Sequence, residues 1–514
     1  MRDDNLRDDL PPPPHRPWWR RRLLLGAALA ALLAGGGLVG LHVHLARQAD
    51  RELEQAIAEV DEREPNGWRL EELEAQRAVI PDDRNAALVV MAVKKQMPNS
   101  WPSVPRPMPE PADRGEADDP PLPPSLPPEP IDERIGKLPP AIQLDEPLTD
   151  ELRREMEKVF PALAEAQRLA DLPTGRFPIV WAEDHLNTRL NSQQARPVAN
   201  LLRMEAVLWA QDGHIDRAVR SARGMLNTGR AIGDEPTLIS LLIRIALQAV
   251  SLASLERTLA QGEPSVAELE ALQRLLEDEV RQPLLWIALR GERAGIYRTL
   301  EAMTNSRIPL SQLGRGSIPS FGEGFAQVFI NPGLKRGNAR LLRVLSEWIE
   351  VSKRPVEEQT GLFKLPQPAS QRAGIEDIIV ELLLPAIERV AEAFQRSQAK
   401  LRCGVTALAA ERYRQAHGRW PDSLDELVQA KLLAAVPLDP YGGAPLRLRR
   451  TANGLVIYSI SRDGQDNGGN LSDDSRAAGT DLGFQLWDVE KRRQPPHEWI
   501  PPPREGRPAD DPAL

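Results

Sequence analysis

Few residues in this chain are placed to do chemistry. Its seven histidines are scattered, and no HExxH, GxSxG or GxxxxGK[ST] pattern occurs. Glu183-Asp184-His185 is the one tight acid–histidine cluster. Adjacent residues on a helix point apart, so the trio reads as surface hydrogen bonding instead of a zinc or catalytic site. Residues 314–324, GRGSIPSFGEG, offer glycines and hydroxyls but lack the lysine and strand–helix context of a phosphate cradle. Cys403, the single cysteine, excludes an intrachain disulfide and a cysteine metal cage, and its helical surroundings predict a small buried side chain. The remaining concentration of ionisable groups is acidic: Asp463, Asp466, Asp473, Asp474 and Asp481 follow one another near the C-terminus. No catalytic residue and no small-molecule substrate is read from these residues, and the expectation is a protein that is not an enzyme.

Whatever these groups do, several units must position them. At 514 residues the chain is too long for one ordinary core. Its 48 prolines, nearly twice the usual share of about 5%, are clustered and predict extended connectors. The net charge of -9 is modest and dispersed, and Arg20 to Arg22 are the only basic run, which argues against nucleic acid as a partner.

Trp18-Trp19-Arg20-Arg21-Arg22 lead into LLLGAALAALLAGGGLVGL, 19 residues without a charge. About 20 are needed to cross roughly 30 Å of hydrocarbon. The flanking arginines predict a cytoplasmic N-terminus, residues 1–22, and a transmembrane signal anchor over 23–45 with the bulk extracytoplasmic. A cleaved signal peptide ending near Ala28-Leu29-Ala30 is the competing reading, and the continuation of the apolar run past that point favours the anchor. Gly36 and Gly40 form a small-xxx-small face on which two spans could pair.

Past the membrane, residues 46–97 have helical period and predict a stalk. Within it, residues 85–95 are apolar enough to pack on something. Residues 98–143, centred on PPLPPSLPPEP, predict a proline-rich linker. Residues 144–303 predict a helical domain, with one helix over 149–170 and a helical hairpin around Asp212-Gly213. In its second arm Ile215, Ala218, Val219, Ala222 and Leu226 fall on one stripe. The run LWAQDGHIDRAVRSARGML resembles a tetratricopeptide unit, although a single unit is short of the roughly three an array needs. Residues 238–255 are apolar all round; Arg244 and Gln248 in mid-segment favour a buried central helix over a second span. Ser265 and Glu268 form a capping box. Gly, Ser and Pro predict a surface loop over 304–340, then a helical connection over 341–385 that Pro385 kinks or restarts, and an unbroken helix over 386–417. Residues 491–514 predict a disordered tail.

The C-terminal stretch carries three motifs in order: YRQAHGRWPDSLDELV, PLDPYGGAPLRLR and VIYSISRDGQDNGG followed by GTDLGFQLW. They read as a helix ending at a glycine, a short helix, a tight turn at Asp439-Pro440-Tyr441-Gly442 and strands around the acidic loop. Trp420, Tyr441, Tyr458 and Trp487 are expected in its core. This order resembles the globular domain of the major pseudopilin of type II secretion systems, over roughly residues 400–490. The resemblance implies a small α+β domain with an antiparallel sheet over 386–490, and a calcium ion in the acidic loop. Calcium takes about six to eight oxygens at roughly 2.3–2.6 Å. Carried across, Asp463 and the carbonyl of Ile460 match one family motif and Asp481 matches another. Thr480 replaces a family aspartate, and Asp466, Asp473 and Asp474 of the longer loop are available in exchange. The bland alternative is a solvated acidic hairpin with no ion. A pilin leader does not fit: Gly40 is followed by Leu41, His42, Val43 and His44, with no glutamate at the fifth position.

The expected whole is therefore mainly α, with a transmembrane helix, a TPR-like body and a small pseudopilin-like domain. The whole chain also resembles uncharacterised membrane-anchored bacterial proteins. The expected role is a tethered scaffold in the inner membrane that binds protein partners of the cell envelope. A pseudopilus subunit and an envelope hydrolase built from distant residues are the alternatives.

Overall fold

The computed structural model describes residues 18–102, 129–308, 323–363, 375–472 and 479–496. The apolar run and the charged stretch behind it form one helix, α1 (Trp18–Arg63), of 46 residues and thus roughly 69 Å long. Its first half is bare: Leu25, Leu29, Leu32, Leu33, Leu38 and Val39 are all exposed, on a helix long and apolar enough to span a membrane. Past residue 45 the helix changes character, and Ala49, Ala56 and Val60 are buried. Fully buried Trp68 follows, then α2 (Leu70–Gln76) and α3 (Ala86–Gln96). Asn85 caps α3 by accepting from the Ala87 amide, and Val89, Val90 and Val93 sink into the first core. The stretch expected as a stalk is wound into the body, because one face of each of its helices is apolar and finds a partner.

The linker expected over 98–143 is ordered at its end. Residues 103–128, most of the proline-rich stretch, lie outside the described residues, but α4 (Ile131–Lys137) buries Ile131 and Ile135. The single helix expected over 149–170 is broken into α5 (Glu146–Glu157), α6 (Phe160–Ala166) and a 3-10 turn, Gln167–Asp171. Pro161 explains the break, since a proline lacks the N–H a continuing helix needs but is tolerated in a first turn. The hairpin forms as expected from α7 (Ala195–Gln211) and α8 (Ile215–Arg230). Gly213 takes φ +79° at the turn, and the His214 amide donates to the Trp209 carbonyl, closing α7.

α9 (Leu238–Gln261), α10 (Val266–Arg281) and α11 (Leu284–Thr304) complete the centre. The apolar helix α9 lies mostly buried inside the protein, and its mid-segment Arg244 and Gln248 both bind Glu279 of α10. Glu279 is fully buried. It accepts from Arg230 Nη1 at 2.6 Å, Arg244 Nε and Nη2 at 2.7 Å and Gln248 Nε2 at 2.6 Å.

The loop expected over 304–340 is corrected in its second half. Residues 309–322 lie outside the described residues, but α12 (Glu323–Ser352) runs straight through Pro332. Pro332 removes one hydrogen bond, yet Leu334, Ala339, Leu341, Leu342 and Leu345 are buried along that helix, and tertiary packing outweighs the weak local propensity. Likewise Pro385 neither ends nor restarts a helix: α13 (Ile375–His417) is continuous over 43 residues. Its first half packs with α11 and α12 through Val380, Leu384, Ile387, Val390 and Phe394.

After α14 (Leu424–Gln429) come β1 (Arg447–Thr451), β2 (Gly454–Ser459) and β3 (Leu482–Trp487). They form an antiparallel sheet in sequence order, with Leu448 opposite Ile457 and Ile457 opposite Phe484. Leu455, Ile457, Phe484 and Leu486 share one core with the second half of α13 and with Leu226, Leu252, Leu255 and Leu276 of α8, α9 and α10. The sheet is thus docked on the body and not held out from it. The tail expected to be disordered from residue 491 is ordered through 496 because it makes specific bonds. Arg492 donates to the buried Glu411 carboxylate at 2.9–3.0 Å, and the Gln494 amide to the Ala141 carbonyl at 2.8 Å.

Burial alone would raise the Glu279 carboxyl, but the charges and hydrogen bonds of Arg244 and Arg230 hold it down at about 2. Its contribution is therefore complete above the ordinary carboxylate value and lost as pH falls toward 2. Glu279→Gln is expected to lower unfolding stability at pH 7 by about 3–5 kcal/mol and to flatten the loss of stability below pH ~4.5, read by denaturant unfolding across pH.

Candidate functional site

The acidic loop hangs between β2 and β3, and a residue outside the expected set organises its root. Asp439, fully buried, accepts from Ser459 Oγ at 2.7 Å, the Ile460 amide at 2.9 Å and the Tyr441 amide at 3.0 Å. It pins the Asp-Pro-Tyr-Gly turn to the end of β2. The sequence shows Asp439 only as turn chemistry; nothing local indicates that its carboxylate reaches 20 residues ahead.

Asp463, Asp466 and Asp481 face one another's neighbourhood but are turned to protein donors. Asp463 accepts from the Gln465 amide and the Asn467 side chain at 3.1 and 3.2 Å. Asp466 accepts from the Gly468 amide at 2.9 Å, Tyr458 Oη at 3.1 Å and Arg447 Nε at 3.1 Å. Asp481 accepts from the Gly469 amide at 2.7 Å and the Asn467 amide at 3.4 Å. Backbone N–H donation, from Gln465 and Gly468 respectively, holds the Asp463 and Asp466 carboxyls below their ordinary range. Burial raises Asp481, and the nearby charges of Asp466 and Asp463 add to that.

A calcium cage needs oxygens converging on a point. Ile460 donates its amide to Asp439, Arg447 pairs with Asp466, and the Gly468 and Gly469 amides donate to Asp466 and Asp481. Among the described residues no three acidic, histidine or cysteine side chains are grouped to hold a metal. Asp473 and Asp474 lie outside the described residues.

Two buried polar groups elsewhere could act on a ligand. His185 is buried, not on the surface as expected. Its ring stacks on Trp181 at 5.9 Å, its Nε2 lies 3.6 Å from Glu292 Oε2, and its amide donates to Thr299 Oγ1 at 3.0 Å. Gly295 of α11 is required there, since a Cβ would stand 2.2 Å from the ring. Glu183 pairs with Arg307, and Asp184 accepts from Asn187. Glu235 is buried between Ser192 Oγ and Ser240 Oγ, and its second oxygen has no hydrogen-bond partner. Glu235, Ser240 and Arg244 border a cavity of about 10 Å³, space for a single water and far too small for an organic substrate. Hydroxyl–carboxylate contacts of this kind could activate a serine in an open cleft. Here they tie the start of α9 to the segment before α7.

Comparisons with protein-family models, curated proteins and solved structures returned no match.

Two outcomes follow. Burial raises the Glu235 carboxyl, outweighing the Ser240 and Ser192 hydrogen bonds, so its ionisation opposes folding as pH rises through that raised value. Glu235→Gln is expected to match or exceed the parent's stability at pH 8 and to lose the decline between acid and neutral pH, measured by thermal unfolding. In the acidic loop, millimolar calcium is expected to leave the unfolding temperature of the full chain unchanged; a rise of several degrees that Asp463→Ala abolishes would establish an ion.

Proposed function

We propose that this chain is a non-enzymatic scaffold, tethered by α1 in the inner membrane with its body outside the cytoplasm, that binds protein partners of the cell envelope. The observation that carries the reading is how the membrane helix is rooted. Glu64, at the end of α1, accepts from Arg290 Nε at 2.7 Å and Arg293 Nη2 at 2.5 Å, and Arg293 also donates to Ser346 Oγ at 2.9 Å. The helix that enters the bilayer is thereby one rigid piece with α11 and α12, as suits a device that holds a surface at a fixed place. Among the described residues, the buried acids Glu279 and Glu411 are engaged in cross-links of the same kind.

The likeness to the pseudopilin domain enters here as support for a shared ancestry of shape: a long helix, α13, delivers a small antiparallel sheet. The difference bears on function. In a fibre-forming subunit the first half of the long helix must be free to pack with other copies. Here Val380, Leu384, Ile387 and Phe394 of that half are covered by α11 and α12. This favours a scaffold over a pseudopilus subunit. The TPR-like hairpin, α7 and α8, is packed into the body on most of its faces, so partners are met by the outer surface of the body, and the role does not depend on calcium.

Crosslinking in intact cells, followed by identification of captured proteins, tests this. Envelope proteins crosslinked to the body of the chain are the expected result. Co-isolation with a secretion ATPase or secretin in stoichiometric amount would replace the reading with the pseudopilus subunit, and an intact chain that captures nothing would remove it.

A further inference from the structure

α12 runs parallel to α1 at constant register. His42 meets Phe329 with ring centroids 5.1 Å apart, Asp50 pairs with Lys335, Glu52 with Arg336 at 3.6 Å and Glu59 with Arg343 at 3.0 Å. Each α12 residue therefore stands level with the α1 residue about 285 positions earlier. That register carries the height of the bilayer from one helix to the other. If the hydrocarbon begins near Leu23, 19 residues at about 1.5 Å each bring its outer boundary to about Leu41, so Phe329 sits at the boundary.

The residue types agree. On α1 no charge occurs between Arg22 and Arg47; on α12 none occurs between Glu323 and Lys335, and the two charge-free stretches end at nearly the same height. Val328 and Phe329 are 50% and 56% exposed, beside Leu41 and Val43 at 55% and 42%, while Ile330 turns inward to the core. The result is a two-helix apolar collar directly under the first charged ring, formed by Arg47, Asp50, Lys335 and Arg336. Water would surround large apolar side chains at that height; lipid would not.

We propose that the first described turns of α12, through Val328 and Phe329, seat in the outer interface of the same membrane that α1 spans. The chain would then grip the bilayer at two points, a spanning helix and an interfacial one, and its body would rest on the lipid surface at a set tilt and rotation. Glu323, six residues and roughly 9 Å of helix before Phe329, carries the nearest charge on that side and limits the depth to the interface.

This inference rests on α1 being a membrane span, and the experiment separates the two. Cys403 is fully buried, so thiol labelling of the full chain reports introduced cysteines. Val328→Cys, Phe329→Cys, Leu33→Cys and Glu350→Cys would carry an environment-sensitive fluorophore. The chain would be reconstituted in phosphatidylcholine–phosphatidylglycerol nanodiscs, with doxyl-lipid and aqueous iodide as quenchers. Labels at 328 and 329 are expected to be quenched by shallow doxyl-lipid roughly threefold or more above the label at 350, and to be shielded from iodide. Lipid quenching at 33 with none at 328 or 329 overturns this proposal alone; a second copy covering the collar would give that pattern with iodide shielding. No lipid quenching at 33 overturns the span, and this proposal with it.

Discussion

One carboxylate sets the arrangement of the central helices. Glu279 is out of reach of water, and a lone charge there would be prohibitively unfavourable. It is tolerable only because Arg230 of α8 and Arg244 and Gln248 of α9 converge on it, and Gln248 in turn accepts from Ser397 of α13. Four helices meet through side chains of fixed reach. Sliding any one of them by a turn, about 5.4 Å, would strand a guanidinium or the acid. Apolar contacts among Leu, Ala and Val would accept many registers; this network accepts one.

The same device recurs where distant parts of the chain meet. Glu64 joins the end of α1 to α11, and Glu411 joins the last turns of α13 to Arg492 near the end of the described chain. At each place an acid is met by arginine from a segment far away in sequence. Arginine suits the task because its planar fork binds a carboxylate through two bonds and keeps its charge when desolvated. Ionic pins of this kind fix orientation, and the apolar cores between them supply the cohesion.

Much of the architecture is legible before any coordinates. The bare apolar run of α1, the hairpin at Gly213 and the helix-then-sheet order at the C-terminus follow from period, turn chemistry and apolar spacing. What escapes notice is whatever depends on partners far off in sequence. Pro332 and Pro385 look like breakers because their disfavour is local, while the buried leucines that outweigh it are visible only once α1, α11 and α12 are assembled. The tail at Arg492 reads as polar and loose because its buried acid stands 81 residues earlier. In the acidic loop Asp463, Asp466 and Asp481 stand out by residue type alone, whereas Asp439, which anchors the loop, and His185, which is buried, depend on tertiary placement.

α13 belongs to two cores at once, one beneath the sheet and one among α11 and α12. A cut placed at the apparent border near residue 386 would pass through a continuous rod and leave both pieces with raw apolar flanks. The small sheet is thus inseparable from its mount, and a push on its outer surface would travel along α13 into the layer that abuts α1. Load on the far end would reach α1 as displacement along one continuous helix and the layer packed on it.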